Sequence, residues 1–495
     1  MPKKLVTKQP ISLLDGINRE TGEIIDKNHD LFGQSIAGVD LSFPKSSGST
    51  VGVMTLIELK QIDKAPASIT LEEPDTNVIA GCILANIPVF IKNQPPKLVP
   101  VEEARKLSGL PQFLQDLLIK EAEILGAEGF IPIQRVQVAG VSYKTIGDGG
   151  IKVLEYFAKK NLKFKVPTTL NPAGMDLEHW KKQGIPEAFA RKQQYIIELF
   201  KKMGAEVSVS CIPYDLHYLE SGAHVAFGES SAVSYANSAL NVITNRENAV
   251  KTLISALTGF TTKIGMHIKE NRVPDVQINV KCELKTRADY GALGYFAGRN
   301  ANSPYFVGIS PNTSQTKAIA AAGAASGSIA LFFAENISSS IFWYQDNIKN
   351  TIDFTEKELK TVYDELNTTS EEPELISIGC PHLNWSELVQ FLRLIERKKF
   401  KIPVWVSTAK QFKEDLEKNK LILKNLKIDS LEDLEKSNIF IYSDCCVVVS
   451  PVELIGYKII GTDSAKAAKY LPLMSKCDVV FKSIEDFVKL YGIKK

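Results

Sequence analysis

Apolar and polar positions along this chain alternate between the period of a strand and that of a helix. The clearest unit begins with a predicted strand at residues 162–166, where apolar residues occupy every second position. A helix is predicted from near Pro186 to Gly204, because its apolar residues recur at helical spacing and proline suits a first turn. A second strand, 207–210, then leads into Cys211, which completes a strand–helix–strand unit.

The C-terminal third repeats this alternation. Its predicted elements are a strand at 375–378, a helix at 385–397, strands at 404–406, 439–442 and 458–461, and a final helix at 484–491. Alternation of this kind predicts a mostly parallel sheet with helices on both faces.

A proline-rich, polar segment at residues 94–100 divides the chain. Before it, residues 38–43 and 81–91 are predicted as short strands of a small unit. After it, the alternating pattern runs to the C-terminus. We therefore predict a small domain at 1–97 and a larger region at 98–495, with more than one α/β subdomain.

Composition narrows the function classes. The 495 residues allow about three domains, and the net charge of +2 gives no electrostatic case for nucleic acid or membrane partners. The small-apolar run at 318–333 contains Gly and Ser, so we expect a buried helix there. The start of the chain lacks the apolar stretch of a signal peptide. Seven cysteines without framework spacing favour a reducing, cytoplasmic location.

Three cysteines that are far apart in the sequence each follow a predicted strand: Cys211, Cys380 and Cys446. Ligands of open α/β sheets bind beyond the carboxyl ends of strands. Three thiols at one such edge could hold an iron–sulfur cluster and leave one iron open for Lewis-acid chemistry. The alternative is that they are ordinary buried thiols, which are common. Their shared position favours the cluster.

Four loops carry further candidate chemistry. The Gly/Ser loop at 44–52 could cradle an anion and supply a serine base, or be a plain polar turn. Loops 138–148 and 170–176 also follow strands, and each has a structural alternative as a turn or helix cap. Lys466 is predicted in the first turn of a helix, where a cation is unfavourable, which indicates a nearby anion. His382 lies close enough to Cys380 to tune the same site.

Several longer motifs occur in order along the chain: Gly33-Gln-Ser-Ile-Ala-Gly38, Gly48-Ser-Thr-Val-Gly52, Gly140-Val-Ser-Tyr-Lys-Thr, Pro167-Thr-Thr-Leu-Asn-Pro-Ala-Gly-Met-Asp176, Glu229-Ser-Ser-Ala-Val-Ser-Tyr-Ala-Asn-Ser238, Thr244-Asn-Arg246, Glu270-Asn-Arg272, Asp289-Tyr-Gly-Ala-Leu-Gly-Tyr295, Cys380-Pro-His and Ser464-Ala-Lys466. Together they resemble the aconitase X family over nearly the whole chain. The resemblance implies an aconitase-like α/β fold with parallel βαβ units and an N-terminal swivelling domain. It also implies that two subunits, separate in archaeal members, are fused here, so that no separate small subunit is needed.

The loops at 140–145 and 171–176 resemble the phosphomevalonate dehydratase branch of that family. This implies a hydro-lyase that converts (R)-mevalonate 5-phosphate, a small anionic hydroxy acid, to trans-anhydromevalonate 5-phosphate. The resemblance further implies Ser49 as the base and a [4Fe-4S] cluster on Cys211, Cys380 and Cys446. It also implies substrate contacts from Gly140, Val141, Ser142, Asn171, Pro172 and Lys466. Ser142, Lys144, Asn171 and Lys466 are expected to converge on one anion at a single sheet edge.

The chain departs from the family pattern at several positions. Ser47 stands where an arginine is expected, Asp463 stands where asparagine is expected, and an early strand of the small domain is expected to be missing. Cys445 beside Cys446 leaves the third thiol ligand open, although the spacing to Ser450 favours Cys446. Two alternative functions remain: cis-3-hydroxy-L-proline dehydratase or another small hydroxy-acid hydro-lyase, and a non-catalytic iron–sulfur or RNA-binding relative.

Overall fold

The computed structural model describes residues 2–47, 51–335, 337, 348, 350–428 and 430–494. Its main sheets are parallel and are flanked by helices, so the predicted α/β class is confirmed. Four successive regions of the chain each contribute one such sheet.

The N-terminal region folds around a four-stranded parallel sheet in the order β1-β3-β5-β6. Its elements are β1 Lys4–Val6, β2 Ile11–Ser12, β3 Asp40–Phe43, β4 Ser46–Ser47, α1 Val53–Gln61, β5 Ser68–Leu71, α2 Thr76–Ala85 and β6 Val89–Ile91. Two expectations were wrong here. β1 supplies the early strand that was expected to be missing. Of the predicted strand 81–91, residues 81–85 belong to α2 and only 89–91 form a strand, β6. Asp75 caps that helix by accepting hydrogen bonds from the N–H groups of Asn77 and Val78.

The second region contains a three-stranded parallel sheet in the order β10-β8-β9. Its elements are α3 Val101–Arg105, α4 Gln112–Leu125, β7 Phe130–Pro132, β8 Val136–Val138, α5 Tyr143–Lys159, β9 Thr168–Leu170, α6 Glu187–Met203, α7 Pro213–Leu216, β10 Ala226–Phe227, α8 Ser230–Ala239, α9 Ala249–Thr258 and β11 Phe260–Thr262. The helix predicted from Pro186 to Gly204 is confirmed as α6.

The two strands predicted around α6 are wrong in detail. Residues 162–166 form no strand, because their backbone bonds run to the ends of helices: the Phe164 N–H donates to the carbonyl of Met203 and the Lys165 N–H to that of Ala256. The strand is β9, just after them. Segment 207–210 makes a single bridge, in which Val209 pairs with Leu170. It nevertheless runs beside β9 and leads into Cys211.

The third region has a parallel sheet in the order β14-β13-β12-β15. Its elements are β12 Val276–Val280, α10 Arg287–Asn300, β13 Pro304–Val307, α11 Thr313–Gly327, β14 Phe333–Ala334, β15 Asn350–Phe354 and α12 Glu356–Leu366. The small-apolar run at 318–333 begins within α11. The residues of this helix from Thr316 to Ala325 are all buried, so the predicted buried helix is confirmed. Within the described ranges, every helix is too short or too polar to cross a bilayer.

The fourth region is a five-stranded parallel sheet in the order β19-β18-β16-β20-β21. Its elements are β16 Leu375–Leu383, α13 Trp385–Leu394, β17 Lys398–Phe400, β18 Val404–Thr408, α14 Lys410–Lys418, α15 Lys420–Asn425, α16 Leu431–Glu435, β19 Ile439–Ser443, α17 Val452–Ile455, β20 Ile459–Thr462, α18 Ala465–Ser475, β21 Asp478–Phe481, α19 Ile484–Tyr491 and β22 Gly492–Lys494.

The predicted elements of this fourth region are confirmed to within a few residues, with one difference at β16. This strand continues past the predicted end at Ile378 and includes Cys380. Its pairing with β18 is regular up to Ile378 and resumes only at Leu383. Cys380 therefore lies in an irregular stretch, where the regular ladder has ended.

Candidate active site

One cavity is lined by loops that leave the carboxyl ends of two different sheets. The three-stranded sheet contributes Gly140 after β8 and Asn171 after β9, while the five-stranded sheet contributes Cys380, Cys446 after β19 and Lys466 after β20. The expectation of a single sheet edge was therefore wrong. The loops that leave the carboxyl ends of the two sheets extend toward each other and meet at this cavity.

The described site residues predicted from the sequence all line this cavity: Gly140, Val141, Ser142, Asn171, Pro172, Cys211, Cys380, Cys446 and Lys466. Ser49, the predicted base, lies outside the described residues. Val51, two positions further along, lines the cavity as well. The described part of the N-terminal region therefore contributes to the cavity wall through Val51.

The three cysteines have unequal electrostatic surroundings. The Cys446 thiol hydrogen-bonds with Cys380, which lowers the pKa of Cys380 to about 7 and raises that of Cys446 well above its ordinary value. Lys466 also favours the thiolate form of Cys380. Burial raises the pKa of Cys211 to about 12, although the His382 N–H donates a hydrogen bond to its sulfur at 3.1 Å. These three thiols thus share one pocket with the cation of Lys466 beside them.

Cys445 and Cys446 point to different places. Cys446 lines the cavity, whereas Cys445 is absent from the cavity wall. The Cys445 sulfur instead lies 3.5 Å from the amide nitrogen of Gln183, which donates to it. This orientation supports Cys446 as the third ligand candidate.

His382 connects the cysteine loops from behind the cavity. Its ring contacts the Ser210 hydroxyl at 3.0 Å through Nδ1 and the Cys445 carbonyl at 2.7 Å through Nε2. Complete burial lowers the pKa of His382 to about 4, so its ring is neutral at physiological pH. A neutral ring with one donor and one acceptor nitrogen fits these two partners.

The loop that follows β8 presents backbone N–H groups to the cavity. In the described parts of the chain, the N–H groups of Gly140, Val141 and Ser142 have no hydrogen-bond acceptor. Gly140 has a φ of +74°, and a Cβ there would lie 3.0 Å from the methyl group of Ala249. The site therefore needs glycine at this turn, and the turn offers the free N–H groups of an anion cradle.

Two side chains near this loop, Ser142 and Lys144, already form hydrogen bonds with other parts of the protein. Ser142 caps α5, and its hydroxyl also donates to the carbonyl of Val449 at 2.8 Å. Lys144 turns away from the cavity toward the Ser450 carbonyl, at 2.9 Å, and Glu453, at 2.7 Å. The expectation that Lys144 converges on the ligand with the other residues was therefore wrong. Its ammonium group is satisfied inside the fold.

Glu229 is the main site residue that sequence analysis missed. Its carboxylate forms an ion pair with Lys466 and accepts a hydrogen bond from the Asn171 side-chain amide at 3.1 Å. Burial disfavours both charges, but their mutual attraction outweighs it, so the pKa of Lys466 is raised and that of Glu229 is lowered. Lys466 thus meets the anion that its position in the helix indicated, but the anion belongs to the protein. The available signal was an acidic residue at the start of the motif Glu229–Ser238, ahead of a run of small residues.

Asn171 keeps one acceptor open. With its amide nitrogen bound to Glu229, its Oδ1 atom is buried and has no hydrogen-bond partner among the described residues. A buried carbonyl oxygen without a donor is costly. A hydroxyl group of a ligand in the cavity would satisfy it.

Two polar residues behind the cavity hold its loops together. Gln193 on α6 accepts hydrogen bonds from the N–H groups of Tyr143 and Gly174, both at 3.0 Å, and donates to the Val141 carbonyl at 2.8 Å. Asp176 accepts from the Ser443 N–H at 3.0 Å and so ties loop 171–176 to the end of β19. Neither residue stands out in the sequence, since their partners are distant along the chain.

Asp463, which stands where asparagine was expected, forms an ion pair with Arg287. Its carboxylate lies 3.0 Å from the Arg287 guanidinium, which in turn donates to the Cys380 carbonyl at 3.1 Å. The aspartate therefore anchors an arginine that holds the backbone of a cysteine at the cavity.

The residues of the cavity fit the donor set of an iron–sulfur cluster, which is held by cysteine thiolates. Cys211, Cys380 and Cys446 supply three thiols, and the nearby Lys466 favours the thiolate form of Cys380.

The fold and the cavity define a multidomain α/β protein with a cysteine-lined site between two parallel sheets. Family models of aconitase X match nearly the whole chain: the swivel domain at 3–109, the first domain at 106–270, the second at 274–364 and the third at 373–491. The chain belongs to the aconitase X family, and its swivel and remaining domains are joined in one polypeptide.

Individual relatives agree with this. The chain is 42% identical over 388 residues to the phosphomevalonate dehydratase large subunit of Methanocaldococcus jannaschii, covering 94% of that protein and 76% of this chain. It is 25% identical over 530 residues to the cis-3-hydroxy-L-proline dehydratase of Pseudomonas aeruginosa, covering 93% of this chain and 89% of that protein. The crystal structure of Thermococcus kodakaraensis aconitase X in its holo form matches with a TM-score of 0.71 and 35% identity, over 80% of this chain and all of that one.

Proposed function

We propose that this protein is a hydro-lyase that dehydrates (R)-mevalonate 5-phosphate to trans-anhydromevalonate 5-phosphate. The observation that carries the proposal is the single cavity that combines three cysteines with a Lys466–Glu229 pair and the open Asn171 acceptor. The 42% identity to a phosphomevalonate dehydratase subunit, against 25% to a hydroxyproline dehydratase, favours the phosphorylated substrate.

Cys211, Cys380 and Cys446 would hold a [4Fe-4S] cluster. When bound, this group supplies Lewis-acid chemistry at an iron that lacks a protein ligand. The lowered pKa of Cys380 favours the thiolate that a ligand must be. Free cysteines throughout the described chain fit a reducing, cytoplasmic location, which is part of the proposal.

The residues of the chain bind and orient the substrate. Lys466, held in its charged form by Glu229, meets an anionic oxygen, and Asn171 accepts a hydrogen bond from the substrate hydroxyl. The N–H groups of Gly140, Val141 and Ser142 face a carboxylate oxygen, and Pro172 shapes the wall beside them.

Dehydration removes a proton from the carbon next to the carboxylate and a hydroxyl group from the following carbon. The products are a carbon–carbon double bond and one water molecule. Ser49 takes the proton as general base in this proposal. Its placement on the swivel domain allows the domain to close over the substrate and exclude water.

An anaerobic assay of reconstituted protein tests this function. We expect turnover of (R)-mevalonate 5-phosphate and little turnover of cis-3-hydroxy-L-proline in the same preparation. Ser49→Ala should lower kcat by roughly 10²–10⁴-fold while cluster absorbance is unchanged. Turnover of cis-3-hydroxy-L-proline alone would assign the protein to the hydroxyproline dehydratase branch of the family. Full cluster content without turnover of either compound would indicate a non-catalytic relative.

A further inference from the structure

A second cleft adjoins the active-site cavity on the solvent side. It has a volume of about 510 Å³ and lies between the N-terminal region and the rest of the chain. Ser46 and Ser47 line it from the N-terminal side, and Arg299 and Lys469 line it from the other. Tyr470 lines both the cleft and the cavity, so the two are neighbours.

The cations of this cleft differ in how far they are already neutralised. Lys45 pairs with Glu73 at 3.0 Å, and Arg299 forms an ion pair with Glu365. Lys469 also lines the cleft, and its side chain makes no hydrogen bond or ion pair with another residue in the described parts of the chain. It is therefore the lysine of the cleft whose charge is available to a ligand.

The carboxylates of the cleft are engaged elsewhere. Asp275 accepts hydrogen bonds from the N–H groups of Asn302, at 3.0 Å, and Ser303, at 2.9 Å. Asp15 hydrogen-bonds with the Ser12 hydroxyl, and burial raises its pKa, although Lys469 favours its charged form from beyond ion-pair distance. Asp26, the third acid of the cleft, accepts a hydrogen bond from the Asn28 N–H at 3.0 Å. None of the three acids lies at hydrogen-bond or ion-pair distance from Lys469 in the described parts of the chain.

The helix α18 sets the spacing between the two lysines. Lys466, Lys469 and Tyr470 are three or four residues apart and so share one face of the helix. A helix rises 1.5 Å per residue, which places the two lysine Cα atoms ~4.5 Å apart along its axis. Lys466 serves the inner cavity and Lys469 the outer cleft. A ligand that extends from the cavity into the cleft, with an anionic group at each end, would meet both lysines.

We propose that Lys469 binds the phosphate of the substrate in the outer cleft and so selects a phosphorylated hydroxy acid over a shorter, unphosphorylated one. This inference rests on the proposed function and adds a specificity-determining residue to it. A phosphate carries close to two negative charges at neutral pH, and a lysine binds it as a point charge.

Steady-state kinetics of the reconstituted enzyme test the inference. With (R)-mevalonate 5-phosphate, Lys469→Met should raise KM by about 10–100-fold, the worth of a hydrogen bond to a charged group, and change kcat by less than about 3-fold. Lys469→Arg should recover most of the affinity, because it restores the charge. Inhibition by inorganic phosphate should weaken in Lys469→Met. Lys489→Met, at an exposed lysine of α19, is the control and should match the wild type.

The outcomes separate the two proposals. Wild-type turnover with an unchanged KM in Lys469→Met would overturn the phosphate site and leave the proposed function intact. An equal fall of affinity in Lys469→Arg would also overturn it, since charge would not be the cause. No turnover by a wild-type enzyme with full cluster content would contradict the proposed function and this inference together.

Discussion

Cys445 and Cys446 are adjacent in sequence, but only the thiol of Cys446 faces the cavity. We expect Cys446→Ala to abolish both cluster absorbance and turnover, because one of three ligands is lost. Cys445→Ala should retain both, since that sulfur contacts Gln183 behind the cavity. Visible absorbance and iron content after anaerobic reconstitution measure the difference.

Cys211→Ala and Cys380→Ala should behave like Cys446→Ala. Cys477→Ala is a matched control, because its buried sulfur lies outside the cavity and contacts the Tyr457 carbonyl at 3.2 Å. Full iron content in a Cys446→Ala protein would show that the third ligand has been misassigned.

Glu229 couples two residues of the cavity. Glu229→Gln removes the charge that keeps Lys466 protonated, and it turns one acceptor into a donor that faces Lys466 or Asn171. We expect kcat/KM to fall by about 10–100-fold, which corresponds to a lost charged hydrogen bond of ~1.5–3 kcal/mol. Turnover and KM, measured with cluster content equalised, report the effect.

The control is another lysine–glutamate pair. Glu453→Gln weakens the contact with Lys144, which keeps its bond to the Ser450 carbonyl, and neither Glu453 nor Lys144 lines the cavity. This variant should retain activity within about 3-fold. Equal losses in the two variants would mean that Glu229 acts through general stability alone.

At the scale of elements, loop 171–176 is held to the fourth-region sheet by Asp176. Burial of the Asp176 carboxylate raises its pKa. The attraction of Lys413, together with hydrogen bonds from the backbone N–H groups of Ser443, His179 and Glu178, outweighs burial, and the pKa of Asp176 is below its ordinary value of 3.8. Asp176→Asn leaves Lys413 buried without a charged partner, so we expect a loss of about 3–5 kcal/mol in the free energy of unfolding. Chemical denaturation at pH 7 measures it.

The pH dependence of this stabilisation has a definite sign. Because the folded pKa of Asp176 is lowered, its contribution is fully present above 3.8 and is lost as the pH falls through the folded value. The stability gap between wild type and Asp176→Asn should therefore narrow in acid. Asp148→Asn, at an exposed pair with Lys192, should cost at most about 1 kcal/mol at any pH. A gap that widens in acid would contradict this assignment.

At the scale of the whole molecule, the N-terminal region contacts the first turn of α5 in the second region. Arg19 donates to the Thr145 carbonyl at 2.8 Å and lies 3.4 Å from Glu58 of its own region. Asn248 donates to the Thr76 carbonyl at 2.9 Å from the other side. These contacts join the N-terminal region to the second region independently of the connecting segment at 94–100.

We expect a chain break between Pro95 and Val99 to be tolerated. The boundary near residue 97 stays a prediction, and this experiment tests it: co-expressed halves should copurify and regain turnover. Arg19→Met in the cut protein should weaken association by about 10-fold, because the hydrogen bond from Arg19 to the Thr145 carbonyl across the interface is lost. Titration of one half into the other measures the affinity.

In the uncut chain, Arg19→Met should have a much smaller effect, because the connection keeps the halves at high effective concentration. This uncut variant is the control. Halves that fold separately but never form an active pair would place the domain boundary elsewhere.

Local patterns in the sequence determined the parallel α/β class, the helix α6 and the elements of the C-terminal third. They also predicted that Cys211, Asn171 and Lys466 lie just beyond strand ends. Strand and helix periods are short-range properties, so they survive in any context that buries the apolar face. They were misleading where a helix is rich in apolar residues, as at the end of α2, or where backbone bonds ran to helix ends, as at 162–166.

Only the tertiary structure decided which residues meet. It placed the loops of two sheets around one cavity, paired Lys466 with Glu229, satisfied Lys144 inside the fold and turned Cys445 away. The physical reason is that a buried charge must find a partner, and that partner is chosen by packing between segments up to hundreds of residues apart. The identities of these residues are local, whereas their electrostatic roles are properties of the assembled fold.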